Sequence, residues 1–195
     1  MTFTAISTPR LRLDPWSGQH TGLLRRLTAD SRVMRFIGDG RTWPPETSDR
    51  LSAICQAHWD KHGFGWRAAT ERSSGELVGF MALNYVGEGI NALNEHAGPP
   101  DLAGPHLAAT DHVLGWWLLP SAWGQGFARE GAEAMCGEAF GDLRAPAVAA
   151  QIQPGNQASV AVARAVGLTF KFKTTSLGGG PVDVYWRARA TPAGR

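Results

Sequence analysis

The stretch from Val113 to Met135 leaves this chain few ways to fold. Val113-Leu-Gly-Trp-Trp-Leu-Leu119 is an almost unbroken apolar run, closed by Pro120. It is short enough for a buried strand, and Trp116 and Trp117 favour strand over helix. A turn holding Gly124 and Gly126 follows. Beyond it Ala128, Ala132, Met135, Cys136 and Ala139 recur at spacings of three and four, while Arg129, Glu130 and Glu133 lie off that stripe. This periodicity predicts an amphipathic helix. Strand, glycine turn and helix in that order build an anion site. The first helical turn has N–H groups without partners, and the aligned peptide dipoles add positive potential there. Gly124 and Gly126 lack a Cβ, so a phosphate can come close to the main chain.

The identity of the anion is narrowed by what the turn lacks. A Walker loop ends Gly-Lys-Ser/Thr, and Gln125-Gly-Phe-Ala128 does not. The dinucleotide fingerprint wants a third glycine where Arg129 stands. Without the Lys and Mg²⁺ ligands of phosphoryl transfer, a kinase-like reading is set aside. Trp123-Gly-Gln-Gly-Phe-Ala128 instead resembles the acyl-CoA pyrophosphate loop of the GNAT superfamily of N-acyltransferases, Gln/Arg-x-x-Gly-x-Gly/Ala, with Trp in first place. The longer string Gly115-Trp-x-Leu-x-Pro-x-x-Trp-Gly-x-Gly-x-Ala128 is similar to the RimJ/RimL-like branch, the ribosomal-protein acetyltransferases and their relatives. The plain alternative is an ordinary strand-turn-helix.

Other phrases carry the same resemblance in the same order. Thr8-Pro-Arg-Leu-Arg-Leu-Asp-Pro-Trp16 matches that branch's opening, and its alternation predicts a strand. Ser17 to Thr28 reads as a helix with Ser17 as cap. Val33 to Arg41 leads through Gly38, Gly40, Pro44 and Pro45 into a second helix ending near Lys61. In the family the segment after Val33 walls the acceptor side, so the resemblance implies substrate contacts from Phe36 and Trp43; simple packing of the loop onto the core is the alternative. Phe64 to Thr70 and Leu77 to Asn84 read as paired strands. Between Tyr85 and Thr110 there is little periodicity, and a loop this long is functional or disordered. It offers Glu88, Glu95, His96, Asp101 and His106 without a metal spacing. Ala147 to Ile152 is a further strand, and Asn156 to Gly167 a helix similar to the superfamily's second CoA-contacting helix, with Leu168 where Phe is usual. Strands over Leu168 to Thr174 and Val182 to Arg189 complete the pattern.

Length and composition set the remaining bounds. The 195 residues suit one domain, 1–195 with a core over about 8–189. A net charge of +2 argues against nucleic acid or an anionic membrane as partner. Cys55 and Cys136 sit in helical patterns as buried thiols. The first residues lack a charged n-region and an apolar core, and no run approaches the ~20 residues of a membrane helix, so a cytoplasmic protein is expected. His58 and His62 are four apart, but the zincin helix has Glu directly after its first His and Trp59 stands there. No third ligand suggests itself, so no metal is expected.

The resemblance implies an α/β (α+β) GNAT fold: a mixed, mostly antiparallel twisted sheet with splayed central strands, flanked by about four helices. It implies acetyl-CoA as cosubstrate and an amine acceptor, a protein N-terminus or a small molecule, with homodimers common in such families. CoA-binding positions would be Trp117, Leu118 and Leu119 for pantetheine, Gly124, Gln125, Gly126, Phe127, Ala128 and Arg129 for pyrophosphate, and Asn156 and Ser159 on the second helix. The chain departs from the pattern where chemistry is concentrated. The Glu that serves many members as base is Val113 here, and their tyrosine acid falls at Ala163. Asp111 lies on Val113's side of a strand and is the first substitute; His112 becomes reachable through a bulge. Asp111 ending a loop is the bland reading of that position. Asn156 and Ser159 take the acid and oxyanion roles by family position, or cap their helix, or both. Two functions stand at this point: an acetyl-CoA-dependent N-acetyltransferase acting by direct attack of an amine on the thioester, and a non-catalytic acyl-CoA sensor.

Overall fold

A computed structural model of the chain describes residues 4–93, 107–108, 110–176 and 180–190. Glu95, His96, Asp101, His106 and the centre of the loop after Ser176 lie outside the described residues. The elements run β1 (Ile6–Ser7), β2 (Leu11–Pro15), α1 (Thr21–Thr28), α2 (Ser31–Met34), α3 (Pro45–His62), β3 (Arg67–Glu71), β4 (Leu77–Tyr85), β5 (His112–Leu118), α4 (Phe127–Phe140), β6 (Ala147–Ile152), α5 (Gln157–Ala165), β7 (Thr169–Thr175) and β8 (Pro181–Ala188). One eight-stranded sheet has the order β1-β2-β3-β4-β5-β6-β8-β7. Every described pairing is antiparallel except β5 with β6.

The pleat of β4 divides the core. Met81 and Leu83 face α4 and α5, joining Leu11, Leu13, Phe127, Met135 and Val160. Phe80 and Ala82 face the other way, onto Leu24, Leu27, Leu51 and Trp59 of α1 and α3. Alternate residues of one strand thus serve two layers, which is why Leu77 to Tyr85 is apolar nearly throughout. The sequence starts the strand before Leu77–Asn84 at Phe64, whereas pairing begins at Arg67. The backbone before it is spent elsewhere: the Trp66 carbonyl accepts from the Trp16 amide at 2.8 Å and the Trp59 indole at 2.6 Å. The predicted helix from Ser17 divides likewise, a short 3₁₀ turn at Gly18–His20 preceding α1. Cys55 and Cys136 are buried, as expected; burial raises the Cys55 thiol well above its usual range and the Cys136 thiol to about 11. Among the described residues no helix is long and apolar enough to cross a membrane.

The central strands part. β5 and β6 are in register only at His112–Val148 and Val113–Ala149, yet β5 stays bonded to β4 as far as Leu118 and β6 to β8 as far as Ile152. Each strand keeps its outer neighbour, and a wedge opens between them. Gly79 fixes one side of it. A Cβ there would lie 2.1 Å from the Trp117 carbonyl oxygen and 2.7 Å from Leu118 Cα, both backbone atoms that cannot swing aside. Gly79→Ala is therefore expected to lower stability by about 2–3 kcal/mol, read from chemical denaturation. A variant as stable as the parent would mean that β4 and β5 are less closely apposed.

Candidate active site

Two cavities meet at the wedge. The first, about 620 Å³, is floored by Trp116, Trp117 and Leu118 and closed by Gly124, Gly126, Ala128 and Ser159. The second, about 410 Å³, lies on the opposite side of β5, against Val113, Gly115 and Trp117. Phe36, Ile37 and Trp117 line both, so the loop after α2 is their shared wall.

The glycine turn presents the open start of a helix to the first cavity, and its glycines also meet a backbone need. A Cβ on Gly124 would meet no protein atom within 4 Å. Both glycines have left-handed backbones, φ 74° at Gly124 and 80° at Gly126, where a side chain is strained. That conformation aims the start of α4 at the first cavity. Gly126 is the N-cap and no side chain caps the helix, so its first N–H groups stay free for a ligand. The turn is braced from the far end of the chain. Arg10 Nη1 donates to the Gln125 carbonyl at 2.7 Å, and Glu130 accepts from Thr8 Oγ1 at 2.5 Å and from Arg10 N and Nε at 2.7 Å. Although burial pushes Glu130 upward, these bonds from Thr8 and Arg10 hold its carboxyl below the ordinary value. Glu130 is thus spent on the scaffold.

The sequence-predicted CoA positions divide. Gly124, Gly126, Phe127, Ala128, Arg129, Trp117, Leu118, Asn156 and Ser159 line the first cavity. Gln125 does not: its side chain donates to the Ser121 carbonyl at 2.8 Å. Leu119 does not either, because its amide donates to the Val78 carbonyl at 2.8 Å. Backbone groups alternate edges along a strand. The Trp117 carbonyl lies against Gly79, whereas the Leu118 carbonyl accepts the Trp123 indole from outside the β4 edge. The main chain presented to the wedge is therefore that of Trp116 and Leu118; of the expected Trp117, Leu118 and Leu119, Leu118 faces the wedge and its two neighbours face β4. Asn156 caps α5, its Oδ1 accepting from Ser159 N at 3.2 Å. Ser159 Oγ accepts from the Trp116 indole at 3.3 Å, which leaves its own hydroxyl hydrogen to donate. Capping and cavity lining hold together for both.

Neither proposed base is among the described residues lining these two cavities. Asp111 is buried just before β5, and its Oδ2 accepts the Ala108 amide at 3.1 Å. The loop-ending reading describes it. His112 is buried on the other face of β5 from Val113, its ring 5.0 Å from that of Phe64 and 4.8 Å from that of Tyr85, and burial lowers its pKa. Phe36 and Trp43 do reach the second cavity, Trp43 with its ring 5.9 Å from that of Trp117. That cavity also gathers residues the sequence did not single out for it: Asp39, Asn84, Glu88, Gln151 and Gln153. Asn84 Oδ1 and Gln151 Nε2 are buried there without a hydrogen-bond partner. Unpaired polar atoms in such a place are costly unless a ligand satisfies them. No spacing in the sequence marks these five, which come from three separate segments.

The charged side chains lining the two cavities differ in sign, and four of the five are also ion-paired: Arg32 with Asp30, Arg129 with Glu133, Asp39 with Arg41 and Glu88 with Lys61. Arg32, Arg35 and Arg129 line the first, with no Asp or Glu among its described lining residues. Asp39 and Glu88 line the second, with no Lys or Arg among its own. One side suits an anion and the other a cation.

Comparison with known proteins places this architecture. Residues 10–169 match the family described as the acetyltransferase (GNAT) domain. An FsC-acetyl coenzyme A-N(2)-transacetylase of Aspergillus fumigatus is 30% identical over 167 residues, which are 84% of this chain and 64% of that protein, so the chain spans less than two thirds of its length. A crystal structure of an acetyltransferase from Agrobacterium tumefaciens superposes with a TM-score of 0.73 at 24% identity, covering 96% of this chain and 95% of that one. RimL, the ribosomal L7/L12 alpha-N-protein acetyltransferase in complex with coenzyme A, superposes with a TM-score of 0.69 at 17% identity, over 95% and 98% of the two chains. With the mixed sheet, the parted strands and the glycine turn before α4, these matches make the chain a member of the GNAT acetyltransferase family.

Proposed function

We propose that the protein transfers an acetyl group from acetyl-CoA to a primary amine whose pKa is already low, an α-amine of a small molecule or of a protein N-terminus. The observation that carries this reading is the charge division across β5, an arginine-lined cavity at a helix N-terminus backing onto an acid-lined one. The pyrophosphate takes the free amides opening α4, and pantetheine lies along the wedge beside Trp116 and Leu118. The amine enters past Phe36 and Trp43, its positive charge met by Asp39.

Reaction requires the neutral amine. Val113 supplies no base at the wedge, and Asp111 and His112 are turned away from it. An amine of pKa ~8 is about one quarter neutral at pH 7.5, whereas a lysine of pKa ~10.4 is only ~0.1% neutral. The first can lose its proton to solvent before it attacks; the second needs a base. The nitrogen then adds to the thioester carbonyl, the C–S bond breaks, and the proton shed by nitrogen ends on solvent or on the departing sulfur. Ser159, with its hydroxyl hydrogen free, is the donor to the developing charge. The A. fumigatus relative is named for N(2) transfer and RimL for alpha-N-protein acetylation, and the reading leaves both kinds of α-amine as acceptors to be tested.

The test is thiol release from acetyl-CoA over a panel of amino-acid esters, peptides with free N-termini and polyamines. Turnover is expected with α-amines and at least ~100-fold less with acceptors offering only lysine-like amines. Saturable CoA binding with no thiol release from any acceptor would instead favour the non-catalytic sensor.

A further inference from the structure

Outside the CoA cavity, one cluster holds groups that the reaction just described does not use. α3 ends with His58 and His62 on one face, a spacing of four placing them one above the other. The turn after β4 brings Glu88 against both. Glu88 Oε2 is 3.2 Å from His58 Nε2 and 3.0 Å from His62 Nε2, and the three ligating atoms lie within 4.8 Å of one another.

The tautomer of His58 makes this an unusual meeting. Its Nδ1 is 2.9 Å from the Phe64 carbonyl oxygen, which can only accept, so Nδ1 carries the hydrogen. Neutral His58 therefore points the lone pair of Nε2 at a carboxylate oxygen. That Nε2 is buried and makes no hydrogen bond, and the side chain is only 4% exposed. Two acceptors facing each other at 3.2 Å repel unless a cation lies between them. Either a proton or a metal ion can fill that role.

We propose that His58 Nε2, His62 Nε2 and Glu88 Oε2 form a three-ligand site for a borderline divalent metal, Zn²⁺ in the first place. In a tetrahedral shell with bonds of ~2.0–2.1 Å, neighbouring ligand atoms stand ~3.3 Å apart. The two N–O separations, 3.0 and 3.2 Å, are close to that edge, and a bound ion would hold the two histidine nitrogens, now within 4.8 Å, at the same spacing. Two imidazoles with one carboxylate select Zn²⁺ and its later transition-row neighbours over Mg²⁺ or Ca²⁺, which take oxygen ligands. The surroundings fit a metal's outer shell. The Phe64 carbonyl orients His58, the exposed Lys61 ammonium occupies the other Glu88 oxygen at 3.2 Å, and the rings of Phe64 and Tyr85 flank the histidines at 5.1 and 5.0 Å. The fourth position is left to water. Because Glu88 also lines the acid cavity, an ion here ties the end of α3 to that cavity's wall.

The experiment uses untagged full-length protein, stripped with chelator and titrated with Zn²⁺ alone by calorimetry. Co²⁺ serves as a spectroscopic stand-in. One equivalent is expected to bind, with the strong visible absorption of four-coordinate Co²⁺ and a rise in Tm. His62→Gln and Glu88→Gln, both at partly exposed positions, should each weaken binding by at least ~100-fold while keeping the parental circular dichroism. Should the folded parent take up no stoichiometric Zn²⁺, or the His62→Gln/Glu88→Gln double variant bind it equally well, the site does not exist and the cluster is a proton-linked ion pair. Neither result bears on acetyl transfer, which is read separately by thiol release.

Discussion

Glu138→Ala is expected to cost about 3–5 kcal/mol of stability, the largest effect of any single substitution considered. Glu138 lies on α4 and is paired with Arg67 at the start of β3, their side chains 9% and 4% exposed. Arg67 also donates to the carbonyls of Thr4 at 3.0 Å and Leu13 at 3.4 Å, and its guanidinium lies 4.9 Å from the Trp59 ring centroid. One guanidinium therefore joins the β1–β2 edge, β3, α3 and α4. Removing the carboxylate leaves that charge buried without its counter-ion, which costs more than the pair itself contributes. Glu138→Gln, which retains a hydrogen-bond acceptor, should lose less. The paired change Arg67→Met with Glu138→Leu should recover much of the loss, because an apolar pair of similar volume carries no desolvation penalty. Denaturant titration reads all three, and a loss below 1 kcal/mol for Glu138→Ala would show the pair to be effectively solvated.

Ala128→Glu should separate ligand binding from folding. Ala128 lies in the first turn of α4 and lines the arginine-bearing cavity. A carboxylate there interacts favourably with the helix N-terminus, so Tm should hold or rise, by the equivalent of about 0.3–1 kcal/mol. The same carboxylate competes for the amides and the positive potential on which a diphosphate depends. CoA affinity is expected to fall ~100-fold or more, which is ~2.7 kcal/mol. A stabilising change that abolishes ligand binding is hard to explain by general damage. Undiminished CoA affinity would place the diphosphate elsewhere and remove the basis of the acetyltransferase mechanism proposed here.

What the sequence could disclose follows the reach of its signals. Val113 to Met135 is a local pattern: an apolar run, a turn that needs left-handed glycines and a stripe repeating every three or four residues are all properties of neighbours in the chain. The strand, the turn and α4 were accordingly legible to within a residue or two. The splay was legible only through the family likeness, since no residue by itself says that β5 and β6 keep only two paired positions. The candidate bases were read from strand alternation, a sound rule applied one residue before the strand begins. Asp111 lies outside β5 and is held by the Ala108 amide, so the alternation does not govern it.

Tertiary structure alone decided the rest, because each remaining feature joins residues far apart in the chain. Arg10 and Thr8 brace a turn more than a hundred residues away through Glu130 and the Gln125 carbonyl. The phase of β5 against β4 fixes which amides face the wedge, and pairing partners rather than composition set that phase. His58 and His62 were visible as a spaced pair, but Glu88 comes from a turn with no periodicity, and only the packing of α3 beside β4 carries its carboxylate to them. Local order is written in neighbouring residues, while charge placement in a cavity depends on where separate segments end, and only the folded chain brings those ends together.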